Sequence, residues 1–190
     1  MHDLEPCSDG RVIRRSLAEP NAFGTIFERH FDALYGYACR RVGSHLAEEI
    51  ATETFVRAFD GRRRFDAECE DARPWLFGIA ANLLRRHWRT ERRRLAAYAR
   101  SVGPAAGASA DTLRADLVAA LDSISKDERE TLFLYAVADL SYEEIGAALQ
   151  IPVGTVRSRL ARARGRLRHR LGKDEIALQS SCDTKESFNV

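Results

Sequence analysis

The sequence predicts an all-α protein built from two small helical domains joined by a flexible linker. Three observations carry that prediction. Apolar residues recur at steps of three and four from Phe23 onward, and no stretch alternates with period two. The uncharged stretch SVGPAAGASA at 101–110, rich in small residues with two glycines and a proline, separates two groups of helical segments.

The elements follow in order. Residues 1–20 are polar and aperiodic and read as a mobile N-terminal segment. Phe23, Phe27, Phe31, Leu34 and Ala38 then mark a helix that ends at Gly43–Ser44. A second helix runs from about Leu46 to Phe59, with Leu46/Ile50 and Phe55/Phe59 as apolar pairs four residues apart and Glu48, Glu49 and Glu53 on its other face. The charged stretch 62–71 reads as a loop. Pro74 suits the first turn of a third helix, whose buried stripe is Trp75, Leu76, Ile79, Leu83 and Leu84. The first domain spans 21–95 and the linker 96–112.

Beyond the linker, Asp111 caps a helix through Leu113, Leu117 and Leu121. Ser125-x-x-Glu128 and Ser141-x-x-Glu144 are capping boxes that open two more. The helix from Ser141 to Leu149 stops before Pro152, which cannot continue it. A last helix follows, with Val156, Leu160, Ala163 and Leu167 inward and Gly172 at its end. The second domain spans 113–172, and 173–190 form a polar tail.

Charge says what the average conceals. The 190 residues hold 30 basic and 28 acidic side chains, a net of +2. Only Lys126, Lys173 and Lys185 are lysine; the remaining bases are arginine, whose planar fork suits phosphate and guanine edges. A GC-rich genome also favours arginine codons, but codon bias scatters arginine and does not sort opposite charges into separate segments. Here Arg85, Arg86, Arg89, Arg92, Arg93, Arg94 and Arg100 stand against Glu91 alone, and 151–173 hold eight bases and no acid. Two basic stretches on an otherwise acidic chain are the footprint of nucleic-acid contact.

The chemistry of an enzyme is missing from the sequence. Cys7, Cys39, Cys69 and Cys182 are far apart, the five histidines are scattered, and neither gives a zinc-ligand spacing, so no metal or other cofactor is expected. No phosphate-cradling glycine loop or nucleophile motif occurs, and Glu48 and Glu49, being adjacent, cannot flank one substrate. The first twenty residues lack the apolar run of a signal peptide, and no apolar run is long enough for a bilayer; a cytoplasmic protein without membrane insertion is expected.

Residues 141–170 have helix-turn-helix spacing, in which the start of the second helix reads major-groove base edges. Turned away from the inward ridge are Arg157, Ser158, Ala161, Arg162 and Arg164; Arg157 and Arg162 are expected to donate to guanine, while Thr155 and Arg159 sit where a helix start meets backbone phosphate.

These segments resemble a known family. FGTIFERHFDALYGYACRRV, AEEIATETFVRAF and RPWLFGIAANLLRRHWR resemble, in order, region 2 of bacterial RNA polymerase sigma factors of the sigma-70 family. LSYEEIGAALQIPVGTVRSRLARARGRLR resembles their region 4, and a chain holding only these two regions resembles the extracytoplasmic-function group. The resemblance implies an alternative sigma factor with core RNA polymerase and promoter DNA as partners and an anti-sigma factor as a further candidate. It places Glu48, Glu49, Ile50, Glu53 and Phe55 on the clamp helices of the largest polymerase subunit, and the surface around Leu132, Tyr135 and Tyr142 on the flap. The loop before Pro74 and the helix after it fall on the −10 element, with Asn82 at an extruded base and Arg85, Arg86, Trp88, Arg89, Arg92 and Arg93 along the melted strand. Thr155, Arg157, Ser158, Arg159, Ala161, Arg162 and Arg164 fall on the −35 element. Two departures stand out: Thr52 replaces a common amide, and Ser125 replaces a common proline while remaining a good N-cap. The competing reading is a helix-turn-helix regulator that never joins polymerase and has no need of the acidic 46–59 helix.

Overall fold

A computed structural model describes residues 8–66, 68–101 and 124–171, the side chains of 94–101 and 170–171 excepted. Seven α-helices are seen among these residues: α1 (Asp9–Ser16), α2 (Gly24–Val42), α3 (Ser44–Gly61), α4 (Arg73–Ser101), α5 (Lys126–Ala136), α6 (Tyr142–Leu149) and α7 (Val153–Leu171). Short 3-10 turns occupy Pro20–Phe23 and Arg62–Arg64. The Asp111-capped helix, the tail after 172 and most of the linker lie outside the described residues. α4 continues to Ser101, into the stretch expected as linker.

The expected mobile segment needs correction from residue 8 onward. Val12 and Ile13 of α1 and Phe23 after it are buried in the core. Asp9 is buried too, ion-paired to Arg29 at 2.8 Å and bonded to His30 at 2.6 Å. Eight residues with two adjacent apolar side chains show too little periodicity to announce a helix. What fixes α1 is a carboxylate whose partners lie some twenty and sixty residues onward.

α2 and α3 form an antiparallel hairpin turned by Gly43, whose φ of 76° is one that side chains rarely adopt. Ala47, Ala51 and Ala58 bring α3 close to α2, whose buried ridge is Ile26, His30, Leu34, Tyr37 and Ala38. Phe27 and Phe31 pack at the edge of that ridge, their rings 4.7 Å apart. α4 completes the bundle, with Leu76, Phe77, Ala80, Ala81, Leu83 and Leu84 buried.

Both capping boxes form as expected. The Ser125 and Ser141 N–H groups donate to Glu128 and Glu144 at 2.9 and 2.6 Å, and the glutamate N–H groups donate back to the serine hydroxyls. α6 ends at Gln150 in the left-handed region, and α7 starts after Pro152. Val156, Leu160, Ala163 and Leu167 are all buried, as their spacing predicts. In α6, Ile145 and Ala148 are buried and Leu149 is half-buried.

The two domains do not sit apart. One apolar core runs through both, joining Tyr37, Phe77 and Ala80 to Leu134, Leu140, Ile145 and Ala148. α6 lies directly on α4 at Gly78, where a Cβ would stand 2.5 Å from the Ala148 carbonyl oxygen. Beside this contact, the Tyr37 hydroxyl donates to Glu130 at 2.5 Å, and Arg41 donates to both Glu130 oxygens at 3.0 and 2.9 Å. Arg73 donates to the Ala138 carbonyl at 2.7 Å. A flexible tether predicts independent domains; these contacts close them on each other.

Candidate nucleic-acid interface

α7 carries the first basic face. Its inward ridge fixes which residues face away: Arg157, Ser158 and Ala161 are exposed, and Thr155 is half-buried in the first turn. The Ser158 hydroxyl donates back to the Thr155 carbonyl at 3.0 Å, an ordinary placement for serine within a helix. The other expected contacts have partners inside the domain. Arg159 pairs with Asp127 at 3.0 Å, and Arg162 donates through Nε to Glu128 at 3.0 Å, with Arg166 on the other Glu128 oxygen. Arg164 lies over the Tyr135 ring, 5.1 Å from its centre. Burial raises the Glu128 carboxyl, but the Ser125 N–H and hydroxyl and the two guanidiniums hold it below the ordinary carboxylate range. The basic face is therefore free of acids in sequence but braced from α5 in space, a pairing that no local motif announces.

α4 carries the second face. Asn82, Arg85, Arg86, Trp88, Arg89, Arg92 and Arg93 are all exposed. Trp88 is 38% exposed, a large flat surface held edge-to-face against His87. Trp75 behaves as a packing residue, its ring 4.9 Å from Phe65. Arg85, Trp88 and Arg92, together with Arg40, line a groove whose opposite wall is the start of α5, including Lys126 and Glu130. The domain closure thus brings part of this face under α5.

α3 carries the acidic face. Glu48, Glu49 and Thr52 are exposed, Ile50 is half-buried, and Glu53 is half-buried and paired with Arg57 at 2.7 Å. Phe55 is corrected: it is 5% exposed, its ring 4.9 Å from Phe27, so it belongs to the core and not to a docking surface. It lies on the border of the helix's buried face, where an apolar pair is ambiguous until the neighbouring helix is known. Val56 is an exposed apolar side chain beside these acids.

Against known families, residues 26–94 match the model of Sigma-70 region 2, and residues 114–167 match that of Sigma-70, region 4. The chain is 36% identical to the ECF RNA polymerase sigma factor SigE of Mycolicibacterium smegmatis, over 78% of this chain and 61% of that one. It is 36% identical to the RNA polymerase sigma factor CarQ of Myxococcus xanthus, over 82% and 92%. It is 30% identical to the ECF RNA polymerase sigma factor SigW of Bacillus subtilis, over 85% and 95%. The chain belongs to the extracytoplasmic-function sigma factors of the sigma-70 family.

The fold of this sigma factor is similar to CnrH solved with the cytosolic domain of CnrY, at a TM-score of 0.64 and 25% identity over 88% of this chain and 99% of that one. It is also similar to the sigma factor RpoE solved with the anti-sigma factor NepR from Bartonella quintana, at 0.57 and 26% over 82% and 99%. An alternative sigma factor directs initiation at its own promoters. α1 lies outside the region 2 match, and sequence reading passed over it. Sequence reading also passed over Asp127 and Glu130 and gave Glu128 only its capping role; the distant partners of these three are 32 to 93 residues away. Among the described residues, Asp9, His30 and Asp71 are one group close enough to hold a cation; Asp9 already accepts from Arg29, His30 and the Ala72 N–H. No helix among the described residues is long and apolar enough to cross a membrane.

Proposed function

We propose that this sigma factor works without catalytic chemistry of its own, in the cytoplasm, by gripping core RNA polymerase with one face and promoter DNA with two others. Glu48, Glu49 and Glu53, with Ile50 and the exposed Val56, form an acidic face with an apolar edge, which suits a basic partner helix on the polymerase clamp. Tyr135 and Tyr142, with rings 5.7 Å apart, and Leu132 supply a half-buried apolar surface for the flap.

The −10 element is met by α4 and the loop before it. Asn82 reads a base edge as donor and acceptor, Trp88 stacks on the separated strand, and Arg85, Arg86, Arg89, Arg92 and Arg93 neutralise phosphates. Bases gripped only when unpaired draw the duplex toward the melted form. The −35 element is met by the start of α7: Arg157, Ser158 and Ala161 face base edges, Thr155 meets phosphate at the helix start, and Arg159, Arg162 and Arg164 flank them. The observation that carries this reading is the pairing of two exposed arginine faces, on α4 and α7, with one exposed acidic face on α3.

Promoter binding requires the two domains to part. The −35 and −10 elements lie about 25 base pairs apart, roughly 85 Å at about 3.4 Å per base pair. A compact chain of 190 residues is only roughly 40 Å across. Polymerase supplies the docking energy that opens the closed form, and the linker then lets both readers act together at high effective concentration. An anti-sigma factor that favours the closed form would oppose opening; CnrH and RpoE, solved with CnrY and NepR, make this a natural partner class. Run-off transcription with purified core polymerase tests the reading. Promoter-specific transcripts support it. DNA binding without any complex with core would favour a regulator that never joins polymerase.

A further inference from the structure

The loop between α3 and α4 enters α4 at the end that faces the −10 element in the reading above. Its backbone is secured by α1, which no family match includes. The Asp9 N–H donates to the Glu70 carbonyl at 2.9 Å, and the Ala72 N–H donates to Asp9 Oδ2 at 3.0 Å. Arg14, one turn further along α1, reaches Glu68 at 2.9 Å. Asp9 is itself held from α2: Arg29 Nη1 donates to Oδ1 at 2.8 Å, and His30 Nε2 lies 2.6 Å from Oδ2. The carboxylate is therefore a buried junction of three segments, 6% exposed and with both oxygens occupied. Ala72, which it fixes, is wholly buried and leads directly into α4 through Arg73, whose N–H donates to Asp71 at 2.7 Å.

A structural helix needs only its apolar face to stay in place. Val12 and Ile13 supply that face, yet the Asp9 carboxylate is turned to the loop backbone rather than to solvent. We propose that Asp9 is a positioning residue for −10 recognition: it locks residues 70–72 to α1 and α2 and so sets the shape of the loop offered to the promoter. The inference rests on the assignment of this loop to the −10 face. It makes the segment ahead of region 2 part of the specificity apparatus.

The test uses full-length chain in holoenzyme with core polymerase, on promoters carrying every base at each −10 and −35 position. Asp9→Asn keeps the size of the side chain and removes the charge that holds Arg29. Its amide exchange at Ala72 rises, and its preference among −10 bases flattens by about tenfold, as displacement of a reading group predicts. Its −35 preference and its affinity for core stay as in the wild type. The double variant Arg14→Ala/Glu68→Ala removes an exposed ion pair between α1 and the loop and shifts −10 preference in the same direction by less. If Asp9→Asn does not fold, a −10-confined shift in the double variant supports the inference and no shift overturns it. Faster Ala72 exchange with an unchanged −10 ranking overturns it, as does equal loss across the −10 and −35 series. Absence of promoter-specific transcription by the wild type overturns the proposed function, and the inference with it.

Discussion

Asp9 and Glu128 are buried carboxylates whose partners are fixed in place, and their environments make separate predictions. Burial raises the Asp9 carboxyl, but His30, the Ala72 N–H and Arg29 outweigh it and bring it down to about 2. A group depressed in the folded state adds stability above its unfolded value, near 3.8, and loses it as pH falls toward 2. The contribution is about 2 kcal/mol. Urea unfolding of wild type and Asp9→Asn should therefore differ at pH 5 and converge between pH 4 and 2. At the basic face of α7, pairing within the domain separates two arginines that read alike in the sequence. Arg157→Ala should cost about 1–3 kcal/mol of −35 discrimination and leave the melting temperature unchanged. Arg162→Ala should lower the melting temperature as well, because Glu128 loses a partner while staying buried. Thermal melts beside a −35 promoter series distinguish the two.

At the scale of elements, Gly78 is the most exposed to test. Alanine there would place a methyl against the Ala148 backbone, which cannot yield as a flexible side chain can. Gly78→Ala should keep the helical content of both domains and push α4 and α6 apart, read as a larger radius of gyration in solution scattering. An unchanged radius with unchanged helicity would contradict the packing. Gly78 also marks where sequence reading ends. The capping boxes at Ser125 and Ser141, the Pro152 break and the α7 ridge were legible because cause and effect lie within a turn or two. The bundle helices α2, α3 and α4 were legible by periodicity, with α2's ridge shifted from Phe27 to Ile26 and His30. α1, the inward turn of Phe55 and the closure of the domains depend on contacts between residues far apart in sequence. No periodicity encodes Asp9 with Ala72, Phe55 with Phe27, or Tyr37 with Glu130. Among the site residues, the exposed arginines of α4 were legible because a solvent face needs no partner. The braces on Arg159 and Arg162 were not.

Over the whole molecule, a net charge of +2 divides into two arginine faces on an otherwise acidic chain. The faces serve different ends. Arg93 lies on the outer side of α4, so Arg93→Ala should weaken promoter binding across sequences and reduce the salt slope by about one. The closed form explains why such faces need not bind DNA indiscriminately. Arg85, Trp88 and Arg92 line a groove against α5, and the buried Arg41–Glu130 pair holds α5 beside that groove. Removing one member of a buried pair strands the other, so Glu130→Gln should loosen the closure and raise non-specific DNA binding by the free chain. If the three faces act together, this chain turns core polymerase into a promoter-specific enzyme. Purified core, the full-length chain and a library of promoter fragments, read as run-off transcripts, measure that directly. Transcripts are expected from a small set of fragments sharing a −35 and a −10 sequence, and are lost when Glu48 and Glu49 are both replaced by lysine. Transcripts indifferent to promoter sequence, or none together with no complex between the chain and core, would contradict it.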